Sequence, residues 1–187
     1  MGLDLRLTPA ELLPLLQGRL DGVGRALRLL SGTTTPIALP FGAVHAGVLL
    51  QLAQAAGESI RLAPGHMLLF DNASPALIET AQRLGFITRS DDPRLRISAC
   101  IGSDGCASGF MPARRLAARV AKQAPPGKSL HVSGCGKGCA HPRRADVTLV
   151  GRADGIGLVI DGRAGDTPVQ VLDEAGIVPA FADLDRR

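Results

Sequence analysis

Apolar residues recur at helical spacing in several stretches of this chain and at strand spacing in others. After Thr8-Pro9-Ala10-Glu11, a capping box with proline at the first helical position, Leu12, Leu13, Leu15 and Leu16 outline a short amphipathic helix. A weaker helical pattern covers Gly22 to Leu30, and Ser31-Gly32-Thr33-Thr34-Thr35-Pro36 reads as a linker. Residues 1–35 are thus read as an N-terminal arm.

Residues 36–96 read as one unit. Ile37 to Leu39 predicts a short strand. Gly42 to Ala56 predicts a helix with Val44, Val48, Leu49 and Leu52 as its apolar stripe. Ser59 to Leu62 and Met67 to Phe70 predict two strands broken at Gly65, and Asp71-Asn72-Ala73 predicts a turn. Ser74 then caps a helix that Pro75 opens and that runs to Leu84, with Gly85 as its stop. Phe86-Ile87-Thr88 predicts a further strand or an extended exit. Strand, helix, strand pair, helix, strand is the order of a ferredoxin-like α+β half-domain.

Residues 97–187 form the second unit. Pro112 to Lys122 predicts a helix with Leu116 and Val120 on its apolar face and Arg114, Arg115 and Arg119 on its polar face. Leu130-His131-Val132 predicts a strand. Val147 to Val150 and Gly157 to Ile160 predict a strand pair across Gly151 to Gly155, with Val169 to Val171 as a possible addition. The expected fold class is α+β: a ferredoxin-like half-domain, then a mixed domain that carries every cysteine.

Composition narrows the chemistry. In 187 residues, 45% are apolar but only 3% are aromatic, with no Trp or Tyr. The core is therefore aliphatic, and aromatic stacking platforms for nucleic acid are not expected. The net charge of +4 comes without long runs of one sign, which suits a solvated surface or a polycarboxylate ligand. No basic region leads into an apolar run at the N-terminus, and no stretch reaches the roughly 18–20 apolar residues of a membrane span. A cytoplasmic location is expected, where thiols stay reduced.

The four cysteines fall in two glycine-rich pairs: Cys100-x5-Cys106, an interval of 28 residues, then Cys135-x3-Cys139. Soft thiolates choose between zinc and iron–sulfur. The spacings are unlike the usual zinc knuckles, so a [4Fe–4S] cluster is the favoured expectation, with zinc and unrelated thiols as alternatives. Glycines beside the ligands (Gly102, Gly105, Gly134, Gly136, Gly138) would let backbone N–H groups approach the sulfides.

The segment Ser133-Gly134-Cys135-Gly136-Lys137-Gly138-Cys139-Ala140-His141-Pro142 carries a resemblance. C-x5-C followed by C-x3-C resembles the cluster signature of the sulfite and nitrite reductase haemoprotein family, and the form S-G-C-x-K-G-C-A-H-P is similar to its precorrin-3B synthase branch. Ile60-Arg61-Leu62-Ala63-Pro64 is similar to the strand that precedes the cluster domain there. The resemblance covers roughly residues 36–187. It implies that Cys100, Cys106, Cys135 and Cys139 hold a [4Fe–4S] cluster. It also implies a tetrapyrrole polycarboxylate beside the cluster: sirohaem in a reductase, or precorrin-3A in a monooxygenase that hydroxylates the ring with O2 and closes a γ-lactone. A non-haem iron and an electron donor accompany that chemistry.

The implied cluster and ring set the roles of Arg61, Lys137, Arg114 and His141, while His131 and Asp104 are read from strand alternation and turn chemistry. Arg61 pairs a ring carboxylate or sits on the polar face of its strand. Lys137 touches the ring or offsets cluster charge. Arg114, with Arg115 and Arg119, forms part of an electron-donor docking patch or of the ring pocket, or lies on a solvated helix face. His141 donates a proton or binds a non-haem iron. His131 is read as structural, Asp104 as a turn residue bonded to loop amides, and His45 and His66 have no visible partner. Family members carry two copies of this unit about a pseudo-twofold axis, and this chain has the length of one. Pro64-Gly65-His66 also departs from the family, which more often has an aromatic and an arginine after the proline. A truncated product, a partner chain supplying the other copy, or a homodimer is therefore expected. A sirohaem-dependent reductase fragment and a non-catalytic electron-transfer or tetrapyrrole-binding module are the alternative functions.

Overall fold

The computed structural model describes residues 34–56 and 60–185. The helices expected over 12–16 and 22–30 lie outside the described residues. The chain divides into two compact units, one built on 34–38 and 44–86, the other on 39–43 and 87–185.

The first unit is a three-stranded antiparallel sheet with two helices. Strand β1 (Thr34–Ala38) pairs with β3 (Met67–Asp71), and β3 pairs on its other side with β2 (Arg61–Ala63). Leu68, Leu69 and Phe70 of the central strand are buried, as are Ile37 and Ala38. The expected linker is corrected here, because Thr34 to Pro36 belong to β1. Two β-branched threonines favour extended backbone, and Pro36 is tolerated because β1 is an edge strand.

Helix α1 spans Ala46–Ala56 and begins four residues later than expected. Phe41 (φ 55°) and Gly42 (φ 68°) adopt left-handed backbone, which no α-helix can include. Of the expected stripe only Leu52 is fully buried; Val48 and Leu49 are half-buried, and Val44 precedes the helix. Helix α2 (Pro75–Arg83) forms as its punctuation predicts. The Ser74 hydroxyl accepts from the Leu77 N–H at 3.2 Å, and Gly85 turns out at φ 87°. The order βαββα, with β3 between β1 and β2, is that of a ferredoxin-like half. The fourth strand expected at 86–88 is reduced to an isolated bridge at Ile87.

The second unit is a five-stranded mixed sheet in the order β4 (Ile97–Ala99), β5 (Leu130–Ser133), β6 (Ala145–Arg152), β7 (Gly155–Gly162), β8 (Gln170–Leu172). Strands β4, β5 and β6 run parallel, and β7 pairs antiparallel with both β6 and β8. Helix α3 (Ala113–Val120) and helix α4 (Ile177–Asp185) supply the helical cover.

Strand alternation divides this sheet into two unlike faces. Ile97, Ala99, Leu130, Val132, Val147, Leu149, Ile156, Leu158 and Leu172 join Leu116, Val120, Ile177 and Phe181 of the helices in one apolar core. Burying a side chain of this size contributes roughly 1.5–3 kcal/mol, so this face supplies most of the unit's stability. On the other face Ser98, His131 and Thr148 lie side by side across three strands. Ser133 follows His131 two positions along β5 on the same face, with Val150 opposite it and Val159 opposite Thr148.

Candidate metal centre

Parallel pairing decides where the cysteines go. Cys100 directly follows β4, and Cys135 follows β5 by two residues. Because β4 and β5 are adjacent and parallel, with Ala99 opposite Val132, both cysteine loops leave the same end of the sheet. The carboxyl ends of parallel strands are where open α/β sheets collect ligands.

Three hydrogen bonds lace the loops together. The Gly134 N–H donates to Cys100 Sγ at 3.1 Å. The Phe110 N–H donates to the Gly134 carbonyl at 2.8 Å. The Lys137 ammonium donates to Ser108 Oγ at 2.9 Å. Backbone N–H groups that donate to cluster sulfurs are among the contacts that tune an iron–sulfur centre.

The close approach of the loops explains two of the glycines. A Cβ on Gly134 would fall 2.6 Å from the Gly102 Cα, and one on Gly102 would fall 2.2 Å from the Met111 carbonyl oxygen. Gly102 also has φ 64°. These two glycines serve backbone-to-backbone contact within the protein. Gly136 is different: its nearest neighbour, the Ala164 carbonyl oxygen, stands at an ordinary 3.7 Å.

No disulfide joins any of the four cysteines. Cys100, Cys106 and Cys135 are half-buried, and Cys139 is exposed. Among the described residues no three His, Cys, Asp or Glu side chains converge on a point where one metal ion could sit.

The surroundings hold unsatisfied polar atoms. Among the described residues, the buried side-chain nitrogens and oxygens without a hydrogen-bond partner are Arg114 Nε and both ring nitrogens of His131. Both residues border the cysteine loops. Arg114 follows Ala113, whose backbone nitrogen a Cβ on Gly102 would meet at 2.5 Å, and His131 Cε1 would lie 3.7 Å from a Cβ on Gly138. Buried groups of this kind are costly in a native fold and concentrate where something else completes them. Burial, reinforced by His141, lowers the His131 pKa from 6.5 to about 4, so its ring is neutral at pH 7. The two imidazoles meet edge to face with centroids 5.7 Å apart, and His141 Nε2 lies 3.1 Å from the Arg144 carbonyl oxygen.

The other expected residues distribute as follows. Lys137 and His141 lie in the second cysteine loop, and Arg114 lies in the first turn of α3. Arg61 belongs to the other unit, where it pairs with Asp71 and reaches Thr34 Oγ1 at 3.4 Å. Asp104 pairs with Arg115 at 3.1 Å, a role different from the expected bond to loop amides. Arg119 pairs with Glu174. His66 occupies a left-handed turn position, φ 61°, between β2 and β3. Sequence reasoning missed Ser108, Ser133 and Thr148. Ser133 Oγ donates to the Cys135 carbonyl at 2.7 Å, and Thr148 Oγ1 to the Gly162 carbonyl at 3.1 Å. Ser133 opens the segment that carries the resemblance but takes no role from it, and Thr148 has no sequence signal beyond its place on a strand.

Comparison with known proteins fits this geometry. No family model matches the chain. A precorrin-3B synthase from a Sinorhizobium species is 40% identical over 166 residues, covering 82% of this chain and 36% of that protein. The NirA protein of Mycobacterium tuberculosis superposes with a TM-score of 0.55 at 18% identity, covering 82% of this chain and 34% of NirA. The chain thus spans about a third of the length of each. No helix among the described residues is long and apolar enough to cross a membrane. By sequence, the chain is similar to precorrin-3B synthase over about a third of that protein, and its α+β fold is similar to that of NirA.

Proposed function

We propose that this chain is the cluster-bearing portion of a precorrin-3B synthase-like oxidoreductase, with Cys100, Cys106, Cys135 and Cys139 as the ligands of a [4Fe–4S] cluster. The observation that carries the reading is the pair of cysteine loops held together at one end of the β4–β5 parallel pair, with the Gly134 N–H on Cys100 Sγ. A cubane attaches each thiolate to a separate iron, so its ligands surround a space. Two laced loops, with three half-buried thiols and the exposed Cys139, suit that demand. When bound, the cluster supplies one-electron transfer.

The chain's own residues prepare the rest. The exposed Cys139 and the half-buried His141 beside it face the region where a tetrapyrrole polycarboxylate is to be placed. Arg114 provides a cation for ring carboxylates, and guanidinium suits carboxylates through its planar fork. Precorrin-3A is the proposed substrate, and hydroxylation with O2 followed by γ-lactone closure is the proposed reaction. A non-haem iron, an electron-donor protein, and either a partner chain or a second copy complete the assembly in this reading, and the cytoplasm is its proposed place.

Absorbance titration of the anaerobically prepared chain with precorrin-3A tests the substrate. Saturable binding that weakens in Arg114→Ala and His141→Ala is expected. Equal affinity in wild type and both variants would contradict the placement of the ring.

A further inference from the structure

We propose that Lys137 and Ser108 form a latch between the two cysteine loops, and that the latched ammonium raises the reduction potential of the metal centre. This rests on the iron–sulfur reading above. Lys137 lies two residues from Cys135 and two from Cys139, and Ser108 lies two residues beyond Cys106. Their bond, Nζ to Oγ at 2.9 Å, is a side-chain tie between the loops. The other two ties run from backbone N–H groups, to Cys100 Sγ and to the Gly134 carbonyl.

The choice of partner matters. A serine hydroxyl anchors an ammonium without neutralising it. Asp104, the acidic residue of the first cysteine loop, is engaged by Arg115, and Lys137 has no carboxylate partner among the described residues. The full positive charge is therefore held between two proposed ligands.

The redox step is simple in balance. A bound cluster would take one electron from a donor protein with no bond formed or broken, and its net charge would fall by one. A fixed cation nearby favours the more negative, reduced state, since charge and hydrogen bonding around a cluster set its potential. Because Lys137 is exposed, an untethered side chain would spend much of its time in solvent, where water screens it. Ser108 removes that freedom. Lys137 and Ser108 are thus positioning residues acting on the potential.

The test uses the full chain reconstituted anaerobically with iron and sulfide, with the midpoint followed by electron paramagnetic resonance. Lys137→Met is expected to load iron and sulfide like wild type and to titrate at a more negative potential. Ser108→Ala is expected to shift the same way by less, because the charge remains and only its tether is lost. Lys137→Arg, which keeps both charge and donor, is expected to stay near wild type. Full loading of Lys137→Met with an unchanged midpoint overturns the latch and leaves the iron–sulfur reading standing. Failure of the wild-type chain to take up iron and sulfide overturns the iron–sulfur reading itself, and the latch with it.

Discussion

The two faces of the five-stranded sheet are made of the same strands and do opposite work. Toward the helices, Leu130, Val132, Val147 and Leu149 pack against Leu116, Val120, Ile177 and Phe181 without a polar side chain among them. One residue over along each strand, His131, Ser133 and Thr148 are also fully buried, and they are the buried polar side chains of the described residues. Two of them find carbonyl partners, and His131 finds none. The apolar face follows the rule that cores exclude unpaired polar atoms. The polar face breaks it beneath the loop that carries Cys135 and Cys139. Departures from packing rules of this kind gather at functional sites.

Breaking the apolar face should have the largest effect. Leu149→Ala removes a fully buried side chain from the centre of the sheet. It is expected to cost about 2–5 kcal/mol in chemical denaturation, while folded chains keep the metal content of wild type. A loss below about 1 kcal/mol would mean that this face is not the main source of stability.

The polar face should respond to pH. The His131 ring charges near 6.5 in the unfolded chain and near 4 in the folded one. Below 6.5 the unfolded state binds the extra proton, so stability falls as pH drops from about 6.5 to about 4, by roughly 3 kcal/mol at most. His131→Leu should flatten this decline in melts compared at pH 7 and pH 5, and at pH 7 it should be neutral or stabilising, because it removes unsatisfied nitrogens. An unchanged pH slope in His131→Leu would place the sensitivity elsewhere.

Where the sheet ends and the loops begin, Gly134→Ala would drive a methyl into the Gly102 backbone. A cost of about 1–3 kcal/mol is expected, with reduced metal uptake as the loops separate. Wild-type uptake in this variant would show that the loops need not touch. The smallest effect belongs to the surface: Arg119→Ala breaks an exposed pair with Glu174 and should change stability by less than about 1 kcal/mol.

What sequence revealed follows the range of the interactions involved. Ser74, Pro75 and Gly85 bracket α2 through contacts three or four residues apart, and the structure places that helix accordingly. The β6–β7 hairpin is similarly local, although its turn narrows to Ala153-Asp154 because Gly151 and Arg152 extend β6. Helix α4 was hidden by Pro179, which reads as a breaker but sits in the first turn, where no intrahelical N–H is needed. Strand β4 has only three residues, too few to show a period.

The site was half legible. The spacing of Cys100, Cys106, Cys135 and Cys139 singles those residues out within the chain. The parallel adjacency of β4 and β5, which sends both loops to one end, is a long-range pairing with no local signature. Ser108 is one serine in a loop until Lys137 is seen to reach it. The two unmatched nitrogens of His131 exist only once the strands are stacked.

Iron and acid-labile sulfide analysis of the anaerobically prepared chain, read together with its absorption spectrum, tests the central claim most directly. The four-cysteine cubane predicts about four irons and four sulfides per chain with broad sulfur-to-iron charge-transfer absorption, all lost when Cys135 and Cys139 are replaced by serine. A colourless chain carrying one zinc, or iron retained without those two cysteines, would contradict it.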